Sequence, residues 1–527
     1  MVAEILSAFV ENLAPLYLLT LFVGTAVGIL TGALPGVTGV TGIALMLPFT
    51  FGMEPSQGLV MLAAVYMSAE FAGSIPAILL NTPGTTGSAA TTLDGYPMTL
   101  QGKASVALYL QLFAGVVGGG IGALILLFFT PVLAQWSLLL GPLEIFWLAV
   151  AGVSLVALLT GKNILRGLIG VGLGALLTIP GQDAMTGVAR FTFGHRELFG
   201  GIDVIPALLG LFAVANILLL LDRPTARVAP LEIRAGAWRV ALGHLRKMKR
   251  LLGWSGLLGT LVGIVPGAGA SVSAFVAYAE AKRLSKHPEQ FGHGAPEGVA
   301  APEAANNAQI GGIMIPLLGL GIPGSASAAV LFGALTVHGI LPGPRLFDDR
   351  ADIAYTFMVG LGFTVVAMLI VGLATIRWSS LVVRTPVRFL VPTVLVLAMI
   401  GTYGLRNSTF DVLVLIVVGI VGYFLARLDI SIVAMALGLV LGGIIERNFQ
   451  RAMVVGGARE GGFFAYSATR PIALILMLLT FAVLASGIVG IMRDRRQAKA
   501  EAAAGDDAPS PDTSTSDEGP DRTEGDR

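Results

Sequence analysis

Apolar runs about as long as a bilayer is thick recur along almost the whole chain, and no other feature limits the fold as strongly. Pro15 to Leu34, Ser105 to Leu133, Ile353 to Ile376 and Pro471 to Met492 are four of them, each near the ~20 residues that a helix needs to cross the hydrocarbon core. Of 527 residues, 55% are hydrophobic and 12% charged, where a soluble domain carries about a quarter charged. An all-α polytopic membrane protein is therefore expected, set in a lipid bilayer, with about 11 transmembrane helices plus re-entrant or broken helices.

Composition and motifs exclude several classes. The chain has no cysteine, which removes disulfides, iron–sulfur clusters and thiol chemistry. A net charge of +1 gives no sign of nucleic-acid binding. The five histidines are scattered without metal-binding spacing, and no G-x-x-x-x-G-K-[ST] phosphate loop is present. No cofactor is expected, no metal beyond a coupled Na⁺, and no enzymatic activity.

Charge placement orients the chain. The opening MVAEILSAFVENLAP lacks the basic region and cleavage pattern of a secretory signal, so it is expected to be the mature start. Arg493, Arg495, Arg496 and Lys499 follow the last apolar run at once, which predicts a cytoplasmic C-terminus. Residues 1–492 are expected to form one integral membrane transport domain, and 493–527 a disordered acidic tail, solvated or regulatory. Further cytoplasmic loops are expected at Asp222 to Arg250, at Arg377, Arg384 and Arg388, and at Lys162 with Arg166. Counting spans backwards puts Lys103 inside and the N-terminus outside. The same count leaves Arg447 to Arg470 outside despite four arginines, so either that loop is a structured exception or the count is off by one span.

A weak internal repeat accompanies this count. GTAVGILTGALPG (Gly24 to Gly36) resembles GTLVGIVPGAG (Gly259 to Gly269) with a gap, and GSIPAILLNTPGTTGSAA (Gly73 to Ala90) resembles GGIMIPLLGLGIPGSASAA (Gly311 to Ala329). The repeat-like units span about residues 16–103 and 250–345. The first runs from outside to inside and the second from inside to outside, the pattern of an inverted-repeat secondary transporter. Chance matches between PG-containing segments are the alternative; the shared order of four breaks favours the repeat.

Each Pro-Gly break frees backbone groups that cost several kcal/mol in hydrocarbon, so broken helices belong inside protein or beside a wet cavity. One central polar site is expected where the four breaks meet. Half-helix N-termini offer N–H donors and partial positive charge to an anion. The candidate substrate contacts are Pro35, Gly36 and Thr38; Asn81, Thr82, Pro83, Gly84, Thr85 and Ser88; Gly267, Gly269 and Ser271; and Pro323, Gly324 and Ser325.

Intramembrane carboxylates are few. Glu70 suits a proton or cation site and equally a hydrogen-bonded packing residue. Glu303 with Asn306 and Asn307 suits Na⁺, or caps a helix beginning at PEAANNA. Glu303, Asn306, Asn307 and Glu70 are the candidate coupling-ion residues. Asp94, in an Asp-Gly pair, reads first as a turn residue, and GVVGGGIGA as a close helix-packing face.

GALPGVTGVTGIALMLPFTF, AILLNTPGTTGSAATTLDGYPMTLQGKASVAL, the run from VGIVPGAGAS to PEAANNA and PLLGLGIPGSASAAVLFGALTVHGILPGPRLF together resemble the large membrane subunit of the tripartite tricarboxylate transporters. The resemblance covers most of Gly24 to Phe347. It implies a multi-pass protein of the bacterial inner membrane, working with a small second membrane subunit and a periplasmic solute-binding protein. Its implied task is import of a tricarboxylate, dicarboxylate or related organic carboxylate, driven by a Na⁺ or H⁺ gradient. Glu70 and FAGS stand where the family pattern leads us to expect a small or neutral residue, so ion specificity does not transfer unchanged. The alternatives are a passive organic-anion channel, which needs a continuous polar stripe, and a membrane-embedded enzyme, which needs a catalytic set.

Overall fold

The computed structural model describes residues 1–34, 37–160, 164–183, 185–221, 234–379, 387–458 and 462–506. Pro35, Gly36, Lys162, Arg223, Arg227, Arg384, Arg459 and the tail beyond Asp506 lie outside the described residues. The architecture is all-α, and the described strands are one antiparallel pair, Gly181–Gln182 with Ala189–Arg190. Nine helices among the described residues are long and apolar enough to cross a membrane, with shorter apolar helices beside them.

After α1 (Val2–Asn12), the first unit contains α2 (Pro15–Ala33), α3 (Gly39–Met46), α4 (Pro55–Ala72), α5 (Ser74–Leu80) and α6 (Thr92–Leu100). α7 (Ala104–Ser137), α8 (Pro142–Thr160), α9 (Ile164–Leu176), α10 (Val204–Leu209), α11 (Ala215–Leu221) and α12 (Ala237–Lys247) connect it to the second. That unit contains α13 (Lys249–Ile264), α14 (Gly269–Leu284), α15 (Pro296–Leu320) and α16 (Ala326–Val337). α17 (Leu346–Asp349), α18 (Ala351–Thr375) and the helices Val387–Arg406, Thr409–Arg427, Ile432–Gly457, Gly462–Ala468 and Pro471–Asp506 follow. Proline begins α2, α4 and α15 at the first turn, where its missing N–H costs no hydrogen bond and its φ is already helical. The final helix continues past Met492 to Asp506, so the segment expected to be disordered starts out helical.

Glycine seams bring the helices into contact. On α7, Gly118 and Gly122 lie against the carbonyls of Ala304 and Ala308 on α15, closer than any side chain permits. Gly28 and Gly32 of α2 meet the carbonyls of Val65 and Ala69 on α4, and Gly259 and Gly263 of α13 meet those of Ala305 and Gln309 on α15. Val65 and Ala69 hold the same places relative to Pro83-Gly84 as Ala305 and Gln309 hold relative to Pro323-Gly324. The repeat therefore pairs GILTGALPG (Gly28 to Gly36) with GTLVGIVPG (Gly259 to Gly267), without the gap that sequence comparison alone suggested.

The two units enter from opposite faces. α7, with 34 residues, is about 51 Å long, so its ends lie on different sides of a ~30 Å hydrocarbon core. At its start, Ser105 accepts from the Arg234 amide at 3.2 Å, and Gln101 donates to the His293 carbonyl at 2.7 Å. At its end, Ser137 donates to the Gly319 carbonyl at 2.9 Å. The hairpin α13–α14 has its base at the Lys103 face. The hairpin α2–α3 has its base at the other face, where Thr50 pairs with His338 at 3.1 Å and Glu11 accepts from Thr356 at 2.7 Å. The arginine-rich stretch Arg447 to Arg470 also belongs to that second face. Arg470 is bonded to the buried Glu144 near the start of α8 at 2.5 and 2.9 Å, and Arg190 to Glu446 at 2.6 Å. Arg470 and Glu446, beside Arg447, thus tie both ends of the stretch to that face.

Candidate functional site

The tips of both hairpins and the breaks after α5 and α15 converge on one cavity of about 610 Å³. Thr38 comes from the first tip, Thr85 and Thr86 from the second break, Gly267, Ala268, Gly269 and Ser271 from the third, and Gly324, Ser325 and Ser327 from the fourth. Tyr66 and Glu70 of α4, Asn216 of α11 and residues between Ala426 and Leu437 complete the wall. Leu159, at the end of α8, and Asp429, bonded to Arg166 at 2.9 Å, lie at the Lys103 face. The cavity mouth therefore opens on that face.

The two breaks after long helices have one local design. Asn81, at φ 57°, and Gly321, at φ 70°, end their helices in the left-handed conformation. The next amides turn back alike, Thr82 N–H to the Pro76 carbonyl at 3.4 Å and Ile322 N–H to that of Pro316 at 3.2 Å. Pro-Gly follows in both, and then a hydroxyl residue starts the next turn. Ser325 caps α16 by accepting from the Ala328 amide at 3.2 Å; Thr85 precedes the helical turn Thr86–Ala89, whose Ser88 donates to the Thr85 carbonyl at 2.8 Å. At the hairpin tips Thr38 caps α3 through the Thr41 amide, and α14 starts at Gly269. Gly267 donates to the Gly324 carbonyl at 2.8 Å, locking the third break to the fourth.

The N-termini of α3, α14 and α16 and the 3₁₀ turn Thr86–Ala89 thus face one space, each contributing N–H groups without an intrahelical partner. Their summed field favours negative charge. No Lys, Arg or His is among the described residues lining the cavity. Glu70 is 6% exposed, lies beside Thr85, and its Oε2 has no hydrogen-bond partner among the described residues. A carboxylate and a bound anion repel across so small a space unless a proton or cation accompanies them.

The structure brings Thr38, Glu70, Thr85, Gly267, Gly269, Ser271, Gly324 and Ser325 together. Asn81, Thr82 and Pro83 shape the hairpin below the cavity, and Gly84 packs where a Cβ would stand 2.6 Å from the Gly32 carbonyl. Ser88 and Pro323 support the lining turns without lining the cavity. Glu303, Asn306 and Asn307 are completely buried behind the wall. Ser74 donates to Glu303 Oε1 at 2.5 Å and Thr91 donates to the same oxygen. Asn306 donates to the Glu70 carbonyl at 3.2 Å and its Oδ1 packs against Gly87. Sequence reasoning missed Tyr66 and Asn216; Asn216, a lone amide inside LLGLFAVANILLLL, was the legible signal.

Asp94 is no turn residue. It sits in α6 and accepts from the amides of Gly292, Gly294 and Ala295 at 2.8–2.9 Å and from Tyr278 at 2.9 Å. It clamps the loop between α14 and α15 onto the first unit.

Comparison with known proteins follows the same lines. A family model described as Tripartite tricarboxylate transporter TctA family matches residues 18–437. An uncharacterised 52.8 kDa protein of the TAR-I ttuC′ 3′ region of Agrobacterium vitis is 34% identical over 496 residues, covering 94% of this chain and 98% of that protein. A second uncharacterised protein of that organism, from the TAR-II ttuC′ 3′ region, is 36% identical over 238 residues, 45% of this chain and 97% of its own length. No solved structure matches.

Proposed function

The chain belongs to the tripartite tricarboxylate transporter TctA family, and from that membership we propose that it imports an organic carboxylate across the bacterial inner membrane by cation-coupled alternating access. One observation carries the reading: three helix N-termini and a 3₁₀ turn, with their hydroxyls, meet in a single cavity whose only described acidic neighbour deep in the wall is Glu70. The substrate carboxylates sit against the N–H groups and hydroxyls of Thr85, Ser271, Ser325 and Ser327. The coupled Na⁺ or H⁺ sits at Glu70, next to Thr85 and Asn306, and relieves the repulsion between Glu70 and the substrate. Substrate and cation therefore stabilise each other, which is what symport requires.

With Lys103 and the C-terminus in the cytoplasm, the cavity mouth faces inward in this conformation. Rocking of the two inverted units about the cavity opens it to the other side. A periplasmic solute-binding protein delivers the substrate and a small second membrane subunit completes the assembly.

The test is citrate uptake by vesicles that contain this chain with its small subunit and binding protein, with Na⁺ and pH gradients imposed separately. One gradient drives accumulation above equilibrium, and Thr85→Leu or Ser325→Leu lowers uptake at least about tenfold, the equivalent of losing ~1.4 kcal/mol of binding. Equilibration of citrate without a gradient or binding protein identifies a passive channel instead.

A further inference from the structure

Behind the cavity wall, several buried side chains are anchored to one short stretch, the junction of α4 and α5 around Gly73. Ser74 holds Glu303 Oε1, and Gln111 of α7 donates its amide nitrogen to the Phe71 carbonyl at 2.7 Å. Asn307 donates its amide nitrogen to the Glu303 carbonyl at 3.2 Å. Because the NH₂ group is the only donor of a side-chain amide, these bonds fix both amides with their oxygens turned away from the anchors. Gln111, Glu303 and Asn307 are each 0% exposed. Gln111 Oε1, Glu303 Oε2 and Asn307 Oδ1 have no hydrogen-bond partner among the described residues. A Cβ placed on Gly115 would stand 2.7 Å from Asn307 Nδ2, and Gly115 lies one turn from Gln111 on the same face of α7. Gln111 and Asn307 therefore share the seam between α7 and α15, and Glu303 lies one turn from Asn307 along α15.

Three acceptor oxygens without a competing donor decide what kind of ligand fits. Amide oxygens do not take up protons near neutral pH, and a proton on Glu303 serves no more than one neighbour. A small cation takes several oxygens at once, and one carboxylate balances one positive charge. The geometry points to a Na⁺ site formed by Gln111, Glu303 and Asn307, separate from the cation position at Glu70. Ser74 and Thr91 act as positioning residues by engaging the other carboxylate oxygen. This site rests on the cation-coupled reading and deepens it: two cations accompany each turnover, and the second binds where the two units are pinned together, out of contact with the substrate.

Equilibrium binding of radioactive sodium to the purified full-length protein in lipid nanodiscs tests it. One more ion per chain in the wild type than in Gln111→Met and in Asn307→Leu is the expected result: two against one where Glu70 takes Na⁺, one against none where it takes H⁺. Thermal melting identifies which of these two variants is folded, and the comparison stands on either. One ion in the wild type that disappears in Glu70→Gln overturns the second site and leaves the coupling reading intact. The wild-type ion count retained in both seam variants overturns the second site as well. No sodium bound by the wild type overturns it together with Na⁺ coupling at Glu70.

Discussion

Asn81 and Gly321 occupy one left-handed position, at φ 57° and φ 70°, at the ends of the two broken helices. Their surroundings differ. A Cβ on Gly321 would stand 2.6 Å from the Pro342 carbonyl, whereas Asn81 is exposed. Asn81→Gly is expected to leave stability within about 0.5 kcal/mol of wild type, since both residues adopt this conformation. Asn81→Val costs ~1–2 kcal/mol, because a branched side chain does not. Gly321→Asn is destabilising despite the precedent at position 81, through the clash with Pro342. Thermal unfolding of the purified variants measures the order; a stable Gly321→Asn contradicts it.

Asp94 ties the loop before α15 to the first unit through three amides and one phenol. Tyr278→Phe removes one of these bonds and is expected to cost ~1–3 kcal/mol, the range for a hydrogen bond to a charged group. Asp94→Ala leaves three loop amides unpartnered and costs more than Tyr278→Phe. Limited proteolysis between His287 and Ala295 reads the effect locally. Cleavage is expected to rise in the order wild type, Tyr278→Phe, Asp94→Ala, and equal rates contradict the clamp.

Local sequence made the breaks legible because Pro, Gly and hydroxyl residues act on the backbone at their own positions. Ser325 and Thr85 were found in this way, and so was the glycine face of α7. Contacts between distant segments left no such mark. The Asp-Gly pair at Asp94 reads as a turn until partners almost two hundred residues away appear. The cavity wall from Ala426 to Leu437 carries no Pro-Gly break and is assigned only by its packing. Sequence leaves open how Glu70 and Glu303 lie relative to each other, and the fold puts the first in the cavity wall and seals the second behind it. Arg470, one of the arginines that fit poorly with a rule counting charges in loops, is paired with a buried carboxylate that no local pattern announces.

The central claim, that the four breaks form one carboxylate-binding cavity, is tested most directly by thiol labelling. The chain has no cysteine, so Ser271→Cys and Ser327→Cys each introduce a single reporter with little change in volume. A membrane-impermeant maleimide applied from the Lys103 face is predicted to label both, and a transported carboxylate such as citrate to protect both. Labelling that is unaffected by citrate at both positions, in protein that still transports it, would contradict the account.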